Sequence, residues 1–130
     1  MAMMISSSAY ALTVLDDSAT WNPVINGVTY THTGHSHLNS NNLIGNADTA
    51  TSSNSTFARK VESNFTYYDS STKKTYVETL SQYRGVNVPL DCKVTFSVPN
   101  STSRITNIDT THKTYYNGTA YTPRYTHCSW

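Results

Sequence analysis

The sequence predicts an α+β fold, mainly β: an antiparallel meander sheet with an N-terminal hairpin and a C-terminal helical segment. Three observations carry this expectation. Residues 60–80, KVESNFTYYDSSTKKTYVETL, alternate between apolar and polar side chains on both sides of a polar turn. The dipeptide Asn26-Gly27 stands between Ile25 and Val28, a signal for a two-residue hairpin. After Pro99, Ile105, Ile108, His112, Tyr115 and Tyr116 recur at helical spacing.

At 130 residues the chain fits one domain, divided into a hairpin and long loop over 1–57, a meander over 58–99, and a helix and tail over 100–130. ALTVL (11–15) predicts a strand ended by Asp16 and Asp17, and PVINGVTYTH predicts the hairpin. Residues 31–56 are small and polar, with one apolar island at Leu43 and Ile44, which predicts a long loop. In the centre, a loop over 70–73 puts Val61, Phe65, Tyr67, Tyr76 and Leu80 on one face. Asn64, Thr66, Tyr68, Thr75, Val77 and Thr79 then share the other. DCKVTFSVP continues the alternation as a third meander strand, with Val94, Phe96 and Val98 opposite Lys93, Thr95 and Ser97. The segment 101–117 is Thr-rich and would need packing to be helical, with Asn117-Gly118 as its stop. TAYTPRYTHCSW is an extended tail.

Composition narrows the function. Charged residues are only 13% and formal net charge is +1, so no long-range field steers polyanions and no polybasic arm exists. No apolar stretch approaches the roughly 18 residues of a membrane span, and the N-terminus lacks the positive region of a signal peptide. The expectation is therefore a soluble chain without membrane contact. Cys92 and Cys128 are too few and too far apart to imply a disulfide scaffold, and free thiols are expected.

Catalytic signatures are absent: no GxSxG elbow, no Gly-rich phosphate loop, no marked carboxylate pair. The chain is not expected to be an enzyme or to need a cofactor. His32, His35 and His37 in HTGHSH are the one metal-like cluster. On an extended strand His35 and His37 would share a face and His32 would not, and no Asp or Glu lies within ten residues on either side. An exposed polar loop is the expected reading and a His-loop metal-binding protein an alternative. The polar sheet face suits nucleic acid better. Thr and Asn bond base edges and phosphates, Lys neutralises phosphate, and Tyr stacks on unpaired bases.

The strand KVESNFTYYDSS, the return strand KKTYVETL, the strand KVTFSVP with NSTS, the stop at Asn117-Gly118 and the total length together resemble the coat proteins of single-stranded RNA bacteriophages. The resemblance covers residues 58–130. It implies two C-terminal helices that clasp a partner subunit, dimers that assemble into an icosahedral shell, and an inner sheet face that binds genomic RNA. Carried over, that face falls on Asn64, Thr66, Tyr68, Thr75, Thr79, Lys93 and Thr95. The expected function is then a structural virion coat protein, assembled in the host cytoplasm, with itself and single-stranded RNA as partners. Ten tyrosines and two tryptophans suit a chain that buries itself against copies, with Trp21, Tyr115, Tyr116 and Trp130 as interface candidates. A β-sandwich surface or adhesion module that binds glycans is the alternative.

Overall fold

The computed structural model describes residues 13–130, and every regular element in them is a β-strand. In chain order these are β1 (Asp16–Trp21), β2 (Val24–Ile25), β3 (Val28–Thr29), β4 (His32–Leu38), β5 (Ile44–Thr51), β6 (Phe57–Asp69), β7 (Lys74–Arg84), β8 (Cys92–Ser97), β9 (Ser103–Tyr116), β10 (Thr119–Ala120) and β11 (Arg124–Ser129). One sheet runs β1-β4-β5-β8. The other runs β7-β6-β9, with the far edge of β9 taken by β11 and β10. All pairings are antiparallel.

The two sheets face each other and nearly close at both seams. Val14 and Ser129 exchange backbone hydrogen bonds (2.8 and 2.9 Å), tying the approach to β1 onto β11. At the other seam Cys92 Sγ donates to the Gln82 carbonyl and Arg84 Nε to the Asp91 carbonyl. The result is a flattened barrel in which the three sequence segments interleave.

Its interior has three layers. Leu38, Val61, Phe65, Val94, Ile105 and Ile108 form the apolar layer, with the free thiols Cys92 and Cys128. At the far end Trp21, Tyr30, His32, Phe57 and Tyr121 meet edge to face. Between them lies a buried hydroxyl layer whose hydrogen bonds have a fixed direction. Thr49 Oγ1 donates to the Lys60 carbonyl and so accepts from His112 Nδ1. Burial pushes the His112 imidazole down to about 4, so it is neutral and its Nε2 accepts from Thr126. Each remaining hydroxyl has one proton, which fixes the order: Ser63 donates to Thr110, Thr110 to Ser36, and Ser36 to Thr126.

This layer explains one correction. Residues 31–56 are not a long loop: they contain the strands β4 and β5 joined by a short turn. His32, Gly34, Ser36 and Leu38 alternate inward, but only Leu38 is apolar. Because the interior at this level is satisfied by hydrogen bonds, strand alternation does not show as hydrophobic alternation.

The expected α+β class, with its C-terminal helix, is contradicted: residues 103–116 are strand β9 and the described residues contain no helix. A bulge is the reason. Thr66 pairs with Asn107 but Tyr67 with Ile105, leaving Thr106 as an extra residue. The bulge turns Ile105 and Ile108 to the same side at a separation of three, which mimics a helical face. Asn117-Gly118, read as a helix stop, is a hairpin turn (φ 50° and 78°) joining β9 to β10. Asn26-Gly27 makes the same turn between β2 and β3, as expected.

The central hairpin pairs with a loop over 70–73, as its alternation predicts. The third meander strand does not follow. β8 crosses to the other sheet and pairs with β5. β1 begins at Asp16, where a strand was expected to end, and residues 11–12 of the expected ALTVL strand lie outside the described residues. The extended tail contains β10 and β11.

Candidate nucleic-acid interface

The register of β6 against its neighbours defines the outer face of the second sheet. Lys60, Glu62, Asn64, Thr66 and Tyr68 point outward from β6. On β7 they stand beside Tyr83, Ser81, Thr79, Val77 and Thr75. On β9 they stand beside Lys113, Thr111, Asp109, Asn107 and Arg104. Cations stand at the two ends of the face (Lys60 and Lys113 at one, Arg104 at the other) and the acids Glu62 and Asp109 between them. In the middle Thr79 Oγ1 donates to Asn64 Oδ1 at 2.6 Å, which engages the amide oxygen and leaves its hydrogens as donors. Beside it His127 Nδ1 and Asp109 Oδ1 are 2.6 Å apart.

At one end this face opens into a cleft of about 490 Å³ bounded by Tyr68, Arg104 and Trp130, with Ser70, Ser101, Thr102 and Thr106. The strands build it directly. Tyr68 and Arg104 are cross-strand partners, and the Trp130 backbone N–H donates to the Thr106 carbonyl at 2.9 Å, which fixes its main chain beside them. Arg104 Nη1 donates to the carbonyls of Ser101 and Ser103 at 2.7 and 2.8 Å, which fixes the guanidinium plane. Tyr68 is 41% and Trp130 61% exposed. Asp69, the neighbour of Tyr68 on β6, accepts from Thr102 and Ser71, and these bonds hold its carboxyl below the usual range. A fixed guanidinium with two exposed aromatic rings can stack a planar group and hold an anion beside it.

Asn64, Thr66, Tyr68, Thr75 and Thr79 therefore share one face. Lys93 and Thr95 do not: they lie on the outer face of the first sheet, opposite Asp48 and Asn46. Arg104 was not among the expected contacts, since the segment around it reads as helical. Its only sequence signal is a lone cation 36 residues after Tyr68, which means nothing before the register is known. Among the interface candidates, Trp21 is buried in its own chain and Arg124 lies 5.8 Å over its ring. Tyr115 and Tyr116 are half-buried against Tyr83 and Phe57, and Trp130 belongs to the cleft.

The histidines separate. His32 points inward, Nδ1 against Thr114 Oγ1 at 2.9 Å, and burial pushes it down to about 4. His35 and His37 point outward with parallel rings 6.4 Å apart. Asp16 from β1 lies 2.6 Å from His37 and 3.3 Å from His35, and Asp48 from β5 lies 3.5 Å from His35. The His37 hydrogen bond holds the Asp16 carboxyl below its ordinary value. Among the described residues no three His, Cys, Asp or Glu side chains are arranged to hold a metal ion. Both thiols are buried; burial raises Cys92 and pushes Cys128 up to about 12, so neither presents a thiolate nucleophile.

The fold is thus an all-β flattened barrel with a polar outer face and an aromatic cleft. No protein-family model, curated protein or solved structure matches the chain.

Proposed function

We propose that this protein is a structural coat subunit that assembles with copies of itself and touches single-stranded RNA with the outer face of β6, β7, β9 and β11. Its place would be the virion. The observation that carries the RNA contact is the Tyr68–Arg104–Trp130 cleft, where unpaired bases would stack on the rings and a phosphate would meet the guanidinium. The phage-coat resemblance no longer supports the reading through its helical clasp, because the described residues have no helix. The reading rests on the face itself. Its weak net charge is compatible with assembly, since a shell repeats each local contact once per subunit.

Size-exclusion chromatography of the recombinant protein, read at 260 and 280 nm with negative-stain microscopy of the leading fraction, tests the reading. Uniform large particles rich in 260 nm absorbance are expected. A nucleic-acid-free monomer or dimer overturns it.

A glycan-binding surface module is the second reading. The mixed charge of the face and the amide and imidazole groups of Asn64 and His127 near exposed aromatic rings favour it, because sugars are neutral and take hydrogen bonds with stacking. Binding on a glycan array by a particle-free protein selects this reading over the first.

A further inference from the structure

Strand β7 is an open sheet edge. Its pairing with β6 covers one side, and among the described residues no other backbone hydrogen bond reaches Lys74–Thr79. All six residues are exposed, on both faces of the strand. Tyr76 and Val77 are 37% and 59% exposed, although Tyr76 stacks on Tyr67 at 5.3 Å. An unprotected edge of this length is a template for another strand.

The sequence of the edge specifies which strand. Lys74, Tyr76 and Glu78 lie on one face, and Thr75, Val77 and Thr79 on the other. Lys74 and Glu78 are about 13 Å apart along the strand and cannot meet. Among the described residues neither makes an ion pair. An antiparallel copy of the same strand, placed about a two-fold axis through Tyr76, sets Lys74 opposite Glu78 twice. Tyr76 then faces Tyr76, and Thr75 faces Val77. Moving the axis by one residue loses both charge pairs: Lys74 then faces Leu80 or Tyr76. Only the Tyr76 register is self-complementary, as an isologous contact must be.

We infer that β7 pairs with β7 of a second copy about a two-fold axis at Tyr76, joining the second sheets of two subunits into one continuous sheet. The inference deepens the coat-subunit proposal by naming its dimer contact, and it rests on that proposal for its biological purpose. The joined sheet would carry two Tyr68–Arg104–Trp130 clefts on a single face, since β6 and β9 follow β7 in each half.

Two measurements test the contact in the full chain. In sedimentation velocity over a dilution series, Glu78→Lys places Lys opposite Lys twice and should weaken the dimer about tenfold or more. The charge swap Lys74→Glu with Glu78→Lys should restore it, which a mere folding defect would not. Tyr76→Cys should form a disulfide-linked dimer under mild oxidation, because residues on a two-fold axis of paired strands stand within disulfide range. Thr79→Cys should not, and the native thiols are buried. Unchanged dimerisation in Glu78→Lys, or no cross-link in Tyr76→Cys, overturns the β7 contact. If particles still form in that case, the coat reading survives without it. A cross-linked dimer that never assembles into particles retains the contact and rejects the shell. A monomer at every concentration rejects both.

Discussion

His112 packs so closely against Gly34 that a Cβ built at position 34 would lie 2.4 Å from the imidazole ring. The glycine has ordinary backbone geometry; what it provides is room. Through that room His112 reaches Thr49 on one side and Thr126 on the other, and the whole hydroxyl layer depends on its position. Gly34→Ala should therefore destabilise the protein by about 1–3 kcal/mol by overpacking. Combined with His112→Ala, the loss should be less than additive. Urea unfolding of the two single variants and the double variant measures this, and strict additivity contradicts the stated contact.

Acid should act through the two buried imidazoles. His32 and His112 have folded values of about 4 against an ordinary 6.5. Both values are depressed, so between them the unfolded chain binds protons that the folded chain refuses. Stability from these groups is complete above pH 6.5 and is lost as pH falls toward 4, by up to about 3 kcal/mol for each. Asp16 and Asp69, held low in the folded state, lose their contribution only at lower pH still. Replacing His112 with Gln keeps a donor and an acceptor without the titration. It should roughly halve the slope of unfolding free energy against pH in this window; an unchanged slope rejects the assignment.

The cleft and the first-sheet cation make different predictions for RNA. Stacking on an aromatic side chain contributes about 1–3 kcal/mol per base, so Trp130→Ala or Tyr68→Ala should weaken single-stranded RNA binding roughly tenfold or more. Arg104→Ala should also lower the dependence on salt by about one phosphate contact. Lys93→Ala, on the opposite sheet, should change little. Filter binding over a salt series separates these outcomes, and a dominant effect at Lys93 moves the interface to the first sheet.

Arg59 is a charged group with a mechanical role. Only 2% exposed, it donates to Asn54 Oδ1 and to the carbonyls of Val88 and Leu90, fastening the connection between β7 and β8. A lysine cannot make this planar fork. Arg59→Lys should cost about 2 kcal/mol and open residues 85–91 to protease. Thermal denaturation and limited proteolysis check it; wild-type resistance in that segment rejects the clasp.

The legible parts of the fold are those where one strand carries its own pattern. The β6–β7 hairpin shows in alternating Val61, Phe65 and Tyr67, and five of the seven expected RNA contacts share its outer face. The illegible parts fail for two separate reasons. In β4 and β5 Leu38 and Ala47 are the only buried inward residues of ordinary hydrophobic type; the others are Ser, Thr, His and Gly, and the burial of their polar groups depends on partners from β6, β9 and β11. In β9 one bulged residue shifts the phase, and the composition of Thr106 does not announce it. The cleft is legible only in part for the same reasons: Tyr68 is an expected RNA contact, Trp130 is expected at a subunit interface instead, and Arg104 has meaning only beside Tyr68.

By itself the sequence determined the local geometry: the Asn-Gly turns, whose φ values near 50° and 78° suit those two residues, and the alternation that gives β6, β7 and β8 an inner and an outer face. The tertiary structure decided which strands meet. It sent β8 to β5 and set β9 between β6 and β11. It also brought Asp16 to His37 across 21 residues and Ser36 to Thr126 across 90. Turn and alternation are properties of neighbouring residues, set by backbone sterics and side-chain direction. Strand partnership in a barrel is decided by the joint burial of all its faces, including hydroxyls that are stable inside only when every donor has found its acceptor.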